Sequence, residues 1–253
     1  MPEQVNFGEY ARQWYELLKN SGRVSDRTLW GYNSYLENYL LPYFSDMSFG
    51  DLNKVVFDQF VLWAKNRCLR GESISNETVN KIFVPMKMVC KDAAIAYSWQ
   101  NNFNPFFGFK RLPEGDHYEN IQPFTIYEQS KIIEASPAHW KPYFMFAFSS
   151  GLRQGEQITL RPEDIDWSKN LVKIRRVFTR GEQGKITLGP TKNKYSRRTI
   201  NLTESMLNAL KEQKKIHNRF DCQYFFCSPE GGRVHTSNLR RRFWKETLET
   251  AKV

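Results

Sequence analysis

Apolar side chains recur every three or four residues along the first hundred positions, and every second residue in stretches between 171 and 202. The first spacing lines one face of a helix and the second one face of a strand, so a helical front half leads into a mixed rear half. Phe7, Tyr10, Ala11, Trp14, Leu17 and Leu18 make the inner stripe of a helix over Asn6 to Asn20, which Ser21-Gly22 stops. Ser25 or Asp26 caps a second, with Leu29, Tyr32, Leu36, Tyr39 and Leu40 inward until Pro42 breaks the pattern. A third helix starts near Asn53, buries Val56, Phe60, Trp63 and Ala64, and ends at the Gly71 turn. The fourth begins near Ser75 or Asn76 and runs through Val79, Ile82, Phe83, Met86, Val89, Cys90, Ala93 and Tyr97, with Pro85 bending it rather than ending it. Together they predict a small four-helix bundle.

From Asn101 to Gln122 two prolines and two glycines interrupt any sustained period, which reads as an interdomain connector. The predicted organisation is a helical domain over 1–110, a linker over 111–122 and a second domain over 123–253. Thr125 with Glu128 forms a capping box that opens the second domain. One helix runs to about Ala135, another from Trp140 to Ser149, and a short one starts at Arg153. Leu171 to Phe178, Gly184 to Thr191 and Arg197 to Leu202 then predict one three-stranded antiparallel sheet. Beyond it lie a helix over Glu204 to Asn218, a short strand over Tyr224 to Cys227, a turn over Pro229 to Gly232, and a basic helix from Ser237 onward. The fold class is mainly α with a small antiparallel β-sheet.

Charge narrows the choice of partner. A net charge of +10 and a pI near 9.4 favour a polyanion, because neutralising phosphates releases counterions. The charge is concentrated in RRVFTRGEQGK, TKNKYSRR and LRRRFWK, all beyond residue 170. Polar groups near helix starts, namely Arg27, Thr28, Asn76, Thr78, Asn80 and Lys81, are candidates for contacts to phosphates or base edges, as are Lys194 and Arg197. No apolar run reaches membrane-spanning length and Met1 to Tyr10 has no signal-peptide pattern, so a cytoplasmic protein is expected. His217, Cys222, Cys227 and His235 have no zinc-site spacing, and the four cysteines, Cys68 included, read as ordinary thiols. No metal, cofactor or small-molecule substrate is expected.

The chemistry centres on SSGLRQGEQITLRPEDIDW, Ser149 to Trp167. Arg153 follows a glycine that can close one helix and stands at the start of the next, with Glu156 one turn on to orient it. Lys192 stands at the turn between the last two predicted strands. Fixed cations of this kind suit metal-free phosphoryl transfer, stabilising charge on the equatorial oxygens while a lysine protonates the leaving oxygen.

GLRQGEQITLRPEDIDW resembles the first arginine box of the tyrosine recombinase (phage integrase) family, and PTKNKYSRRTINLT resembles its β-hairpin. SNETVNKIF with NNFNPF is similar to the family's helical, SAM-like core-binding domain and the connector that closes it. The resemblance implies catalytic roles for Arg153 and Lys192, a supporting role for Glu156, and a two-domain clamp on double-stranded DNA. It also implies a tyrosine nucleophile forming a 3′-phosphotyrosyl intermediate, and a homotetramer on DNA. The family's His-x-x-Arg box and the tyrosine after it do not occur in these residues: Asn238 stands where His235 would need an arginine, and the last tyrosine is Tyr224. The catalytic domain is therefore expected to be incomplete, with no arm-binding domain before the bundle. A non-catalytic DNA-binding regulator or architectural protein on the same fold is the alternative.

Overall fold

The computed structural model describes residues 1–67, 73–99, 102–115, 122–180, 185–190 and 196–253. They form two compact units, one built on Met1–Asn120 and the other on Ile121–Thr179 with Ile186–Val253. Cys68, Gly71, Lys192 and Lys194 lie outside the described residues.

In the first unit, side-chain oxygens fix where the long helices begin. Asn6 accepts from the Glu9 amide before α1 (Phe7–Asn20), and Ser25 from Thr28 before α2 (Asp26–Tyr35). The helix does not stop at Pro42: a π-helical turn, Leu36–Leu40, passes directly into α3 (Leu41–Phe44). The wider turn opens the position where a proline ring meets the preceding turn, and Leu41 and Phe44 are buried by continuing. Asn53 caps α4 (Lys54–Asn66) through the Val55 and Val56 amides, and Ser75 caps α5 (Asn76–Ala96). Each such cap contributes about 1 kcal/mol. Pro85 is buried inside α5, and the helix runs on past it for three further turns.

The connector is partly core. Phe103, Phe106, Phe109 and Leu112 pack on the helical cluster, with Phe106 stacked on Phe57 at 4.5 Å and Phe109 tilted against Phe83 at 4.7 Å. Their three-residue spacing is a period that the surrounding Pro and Gly conceal. Asn80 fastens the segment by donating to the Leu112 carbonyl at 3.0 Å and accepting from its amide at 3.0 Å, and Asn76 donates to the Pro113 carbonyl at 2.7 Å.

The second unit opens with α6 (Ile126–Ala135), where Thr125 and Glu128 exchange the hydrogen bonds of a capping box. There follow α7 (Lys141–Ser150), α8 (Gln154–Gln157), five strands, and α9 (Glu204–His217), which packs along α7. The basic end of the chain is α10 (Thr236–Asn238), a π-helical turn Leu239–Trp244, and α11 (Lys245–Ala251). Trp140, Phe144, Phe146, Ile158, Leu160, Val172, Ile174, Leu210 and Phe226 make its core.

The single three-stranded sheet is replaced by two sheets. β1 (Ile165–Asp166), β2 (Leu171–Ile174) and β5 (Arg198–Asn201) pair antiparallel in the order β1-β2-β5, with Val172 opposite Ile200 and Ile174 opposite Arg198. β3 (Arg176–Arg180) pairs instead with β4 (Ile186–Pro190). The stretch from Leu171 to Phe178 divides at Arg175, and just past the break the Thr159 hydroxyl lies 2.8 Å from the Arg176 carbonyl. Tyr224 to Cys227 is not a strand either. The Phe225 amide donates to Leu160 and its carbonyl accepts from the Gln213 side chain, which leaves one isolated bridge from Cys227 to Arg233. Mainly α with small antiparallel sheets is nonetheless the architecture that the sequence predicts.

Candidate active site

Three local features set Arg153 in place. Gly151 adopts the left-handed conformation, φ 60°, and ends α7, where a Cβ would be strained. Leu152 is buried, and Arg153 then takes the extended N-cap position of α8. Gly155 brings α8 close to β3: a Cβ there would lie 3.0 Å from a Val177 methyl. The Arg153 side chain is 76% exposed, which leaves most of its guanidinium open to a ligand.

Glu156 is the hub of the centre, and it is 3% exposed. It accepts from the Arg153 amide at 3.0 Å and, more loosely, from its guanidinium at 3.3 Å. Its main partner is Arg198, which the sequence reading did not single out. That guanidinium donates to both carboxylate oxygens at 2.9 Å, in the forked geometry that matches a carboxylate best. Burial alone pushes the Glu156 carboxyl upward, but the Arg198 hydrogen bonds and the Arg153 amide outweigh it and hold the group below its ordinary value. The same pair raises the Arg198 pKa. Two cations around one carboxylate leave a net positive centre with Arg153 facing outward.

A second buried carboxylate braces the turn after α8. Asp164 accepts from the Arg161 amide at 3.0 Å and from the Arg176 guanidinium. Gln157, fully buried, donates to the Tyr143 carbonyl at 2.8 Å and ties α8 to α7. Burial pushes the Tyr143 hydroxyl up to about 12, so it stays neutral within the core. Arg198 and Arg176 share a sequence signal. Each is a cation two residues from a core-facing isoleucine, Ile200 or Ile174, in an alternating stretch, where a charge requires a carboxylate partner.

The remaining candidates divide. Arg27 and Arg197 are exposed and make no ion pair among the described residues. Thr28 and Thr78 bond through their hydroxyls to the capping Ser25 and Ser75 at 3.0 and 3.1 Å, and Lys81 pairs with Glu77 at 2.6 Å. Asn76 and Asn80 spend their amides on the 112–114 segment. Of the residues weighed for zinc, His217 packs its ring on Phe225, and burial pushes the Cys227 thiol up to about 11.

The chain belongs to the phage integrase family, whose pattern it matches over residues 119–253, and residues 6–61 match the phage integrase N-terminal SAM-like domain. It is 30% identical over 193 residues to the prophage integrase IntR of Escherichia coli K12, covering 71% of this chain and 45% of that protein. It is also 30% identical over 175 residues to a XerC-like tyrosine recombinase of Caldanaerobacter subterraneus, covering 59% of this chain and 44% of that one. The chain thus spans about half the length of the curated relatives it matches. Its fold is that of the Tn1549 transposon integrase in complex with transposon right end DNA, with TM-score 0.74, 14% identity and 92% of this chain and 75% of that one covered. The lambda integrase tetramer bound to a Holliday junction gives TM-score 0.66 at 15% identity, covering 98% and 64%.

Proposed function

We propose that this chain is the DNA-binding and phosphate-activating part of a tyrosine site-specific recombinase, with a helical domain over 1–110 and a catalytic domain from 123. The observation that carries this reading is the Glu156 hub, which presents an exposed Arg153 and grips the strand that follows Lys192. Arg153 would neutralise the non-bridging oxygens of a scissile phosphate, and Lys192 would protonate the departing 5′ oxygen. A tyrosine hydroxyl would attack the phosphorus to form the 3′-phosphotyrosyl linkage. Double-stranded DNA is the partner, bound as four protomers in the recombining complex and in the cytoplasm. Lambda integrase, solved as a tetramer on a Holliday junction, supports that assembly. No described helix is long and apolar enough to cross a membrane. Arg27, Thr28, Thr78, Lys81, Lys194 and Arg197 are proposed as DNA contacts, whereas Asn76 and Asn80 brace the 112–114 segment of their own unit.

These 253 residues contain no His-x-x-Arg box, so the chain by itself is expected to bind DNA without becoming joined to it. Gel-shift titration of duplex DNA should show binding that weakens steeply with salt. A nicked suicide substrate should yield no denaturation-resistant adduct. Absence of duplex binding would remove the functional reading, and an adduct formed by this chain would overturn the assignment of the nucleophile.

A further inference from the structure

The outer face of the β1-β2-β5 sheet carries positive charge that the Arg153 centre does not use. Val172 and Ile174 of β2 and Arg198 and Ile200 of β5 point inward, so the alternation turns Lys173 and Thr199 to the other side, and Arg175 and Arg197, just outside these strands, are exposed beside them. Lys173 lies opposite Thr199, and Arg175 and Arg197 flank the paired strands, each next to a residue of the last pair, Ile174 and Arg198. Together with Ile174 and Arg198 they line an open concavity of about 700 Å³. Arg175, Arg197 and Thr199 are exposed, and none of the three cations forms an ion pair among the described residues. No carboxylate lines the concavity. Like charges placed side by side on a sheet repel, so this arrangement is stabilised only when an anion covers it.

We propose that this sheet face is a second phosphate-binding surface, separate from the Arg153 centre, and that it takes the sugar-phosphate backbone of duplex DNA. The proposal rests on the recombinase reading for its partner. An extended strand advances ~3.3 Å per residue, so Lys173 and Arg175 stand nearly 7 Å apart. One DNA strand rises ~3.4 Å along the helix axis per phosphate and its backbone winds around that axis, so neighbouring phosphates lie farther apart than the rise and suit cations spaced two residues along an extended chain. A flat row of cations with a hydroxyl beside them fits a backbone, which presents repeated negative charge and asks for no sequence readout. Arg198 links the two surfaces: its side chain reaches inward to Glu156, while Arg197 and Thr199 on either side face outward. Duplex bound here would be oriented as well as held, because contacts on this face and at Arg153 fix two points on the protein.

The test is the salt dependence of duplex binding, read by fluorescence anisotropy with a labelled duplex of arbitrary sequence. Lys173→Gln/Arg175→Gln/Arg197→Gln should flatten the slope of log affinity against log salt by about 2.7, at ~0.9 per lost phosphate contact. Arg197→Gln alone should take about a third of that, and Lys173→Arg/Arg175→Lys/Arg197→Lys should restore the wild-type slope. A control that removes three exposed cations elsewhere, Lys211→Gln/Lys215→Gln/Lys252→Gln, should change the slope little. An unchanged slope in the sheet variants, with wild-type binding intact, overturns the proposal and leaves the recombinase reading standing. An equal loss in the control also overturns it, since the effect would then be net charge. If the wild-type chain shows no salt-dependent binding, the recombinase reading itself has failed.

Discussion

Glu156 decides more about the second unit than any other single residue. Its carboxylate is buried, joined to Arg198 by two hydrogen bonds and to the Arg153 amide by a third. Glu156→Ala would strand the Arg198 guanidinium, and because Arg198 keeps some access to water the expected cost is about 2 kcal/mol, below that of a fully buried pair. Glu156→Gln should cost less, since it retains the amide contact. The carboxyl is held below its ordinary value, so its contribution is complete above the pKa it has when unfolded. That contribution fades as pH falls through the lower folded value. Chemical denaturation in the acid range should therefore show a loss of stability in wild type that Glu156→Gln lacks. A stability profile with the same acid slope in both proteins would contradict the assignment. Arg153→Ala bears on the ligand rather than on the fold: its guanidinium is mostly exposed, so stability should stay near wild type. Duplex affinity should meanwhile lose about one phosphate contact's worth of salt dependence.

At the level of elements, the centre depends on how abruptly α7 gives way to α8. Gly151 in the left-handed conformation ends one helix, and two residues later Arg153 caps the next. Gly151→Ala has open space for its methyl, so the expected cost is the backbone strain alone, about 1 kcal/mol. Thermal unfolding should show a lowered Tm of corresponding size, and an unchanged Tm would mean that the junction relaxes freely. α8 is only four residues long and would not persist in isolation. It is held by Gln157 reaching into α7, by Thr159 bonding to β3 and by the Glu156 hub. Leu171 to Phe178 divides between two sheets at Arg175, beside the point where Thr159 meets the Arg176 carbonyl. Periodicity alone could not reveal this, since residues alternate in the same way whichever strand lies alongside.

Across the whole molecule, each unit has its own apolar cluster, and each cluster is completed by an irregular segment, read from sequence as a connector in the first unit and as a short strand in the second. In the first unit the aromatic spacing Phe103, Phe106, Phe109 completes the bundle. In the second, Phe225 and Phe226 enter the core from an irregular segment whose backbone groups are satisfied by Leu160 and Gln213. A fragment ending at Gly115 should therefore unfold cooperatively, whereas one ending at Asn102 should lose its sharp transition. Circular dichroism melts of the two would show it, and equal cooperativity would mean that the phenylalanines add nothing to the bundle.

The sequence by itself determined where most helices of both units begin, the fold class and the arginine box, because these depend on local chemistry: a side-chain oxygen before an apolar stripe, a glycine after one, an arginine beside it. It also located Glu156, though as a support for Arg153. Only the tertiary structure decided that Arg198, forty-two residues away, is the main partner of that carboxylate, that the strands separate at Arg175, and that Asn76 and Asn80 fasten their own unit. The physical reason is common to all three. A buried charge or carbonyl must be satisfied by whatever group the fold brings within hydrogen-bond reach, and that choice is made across the chain rather than along it.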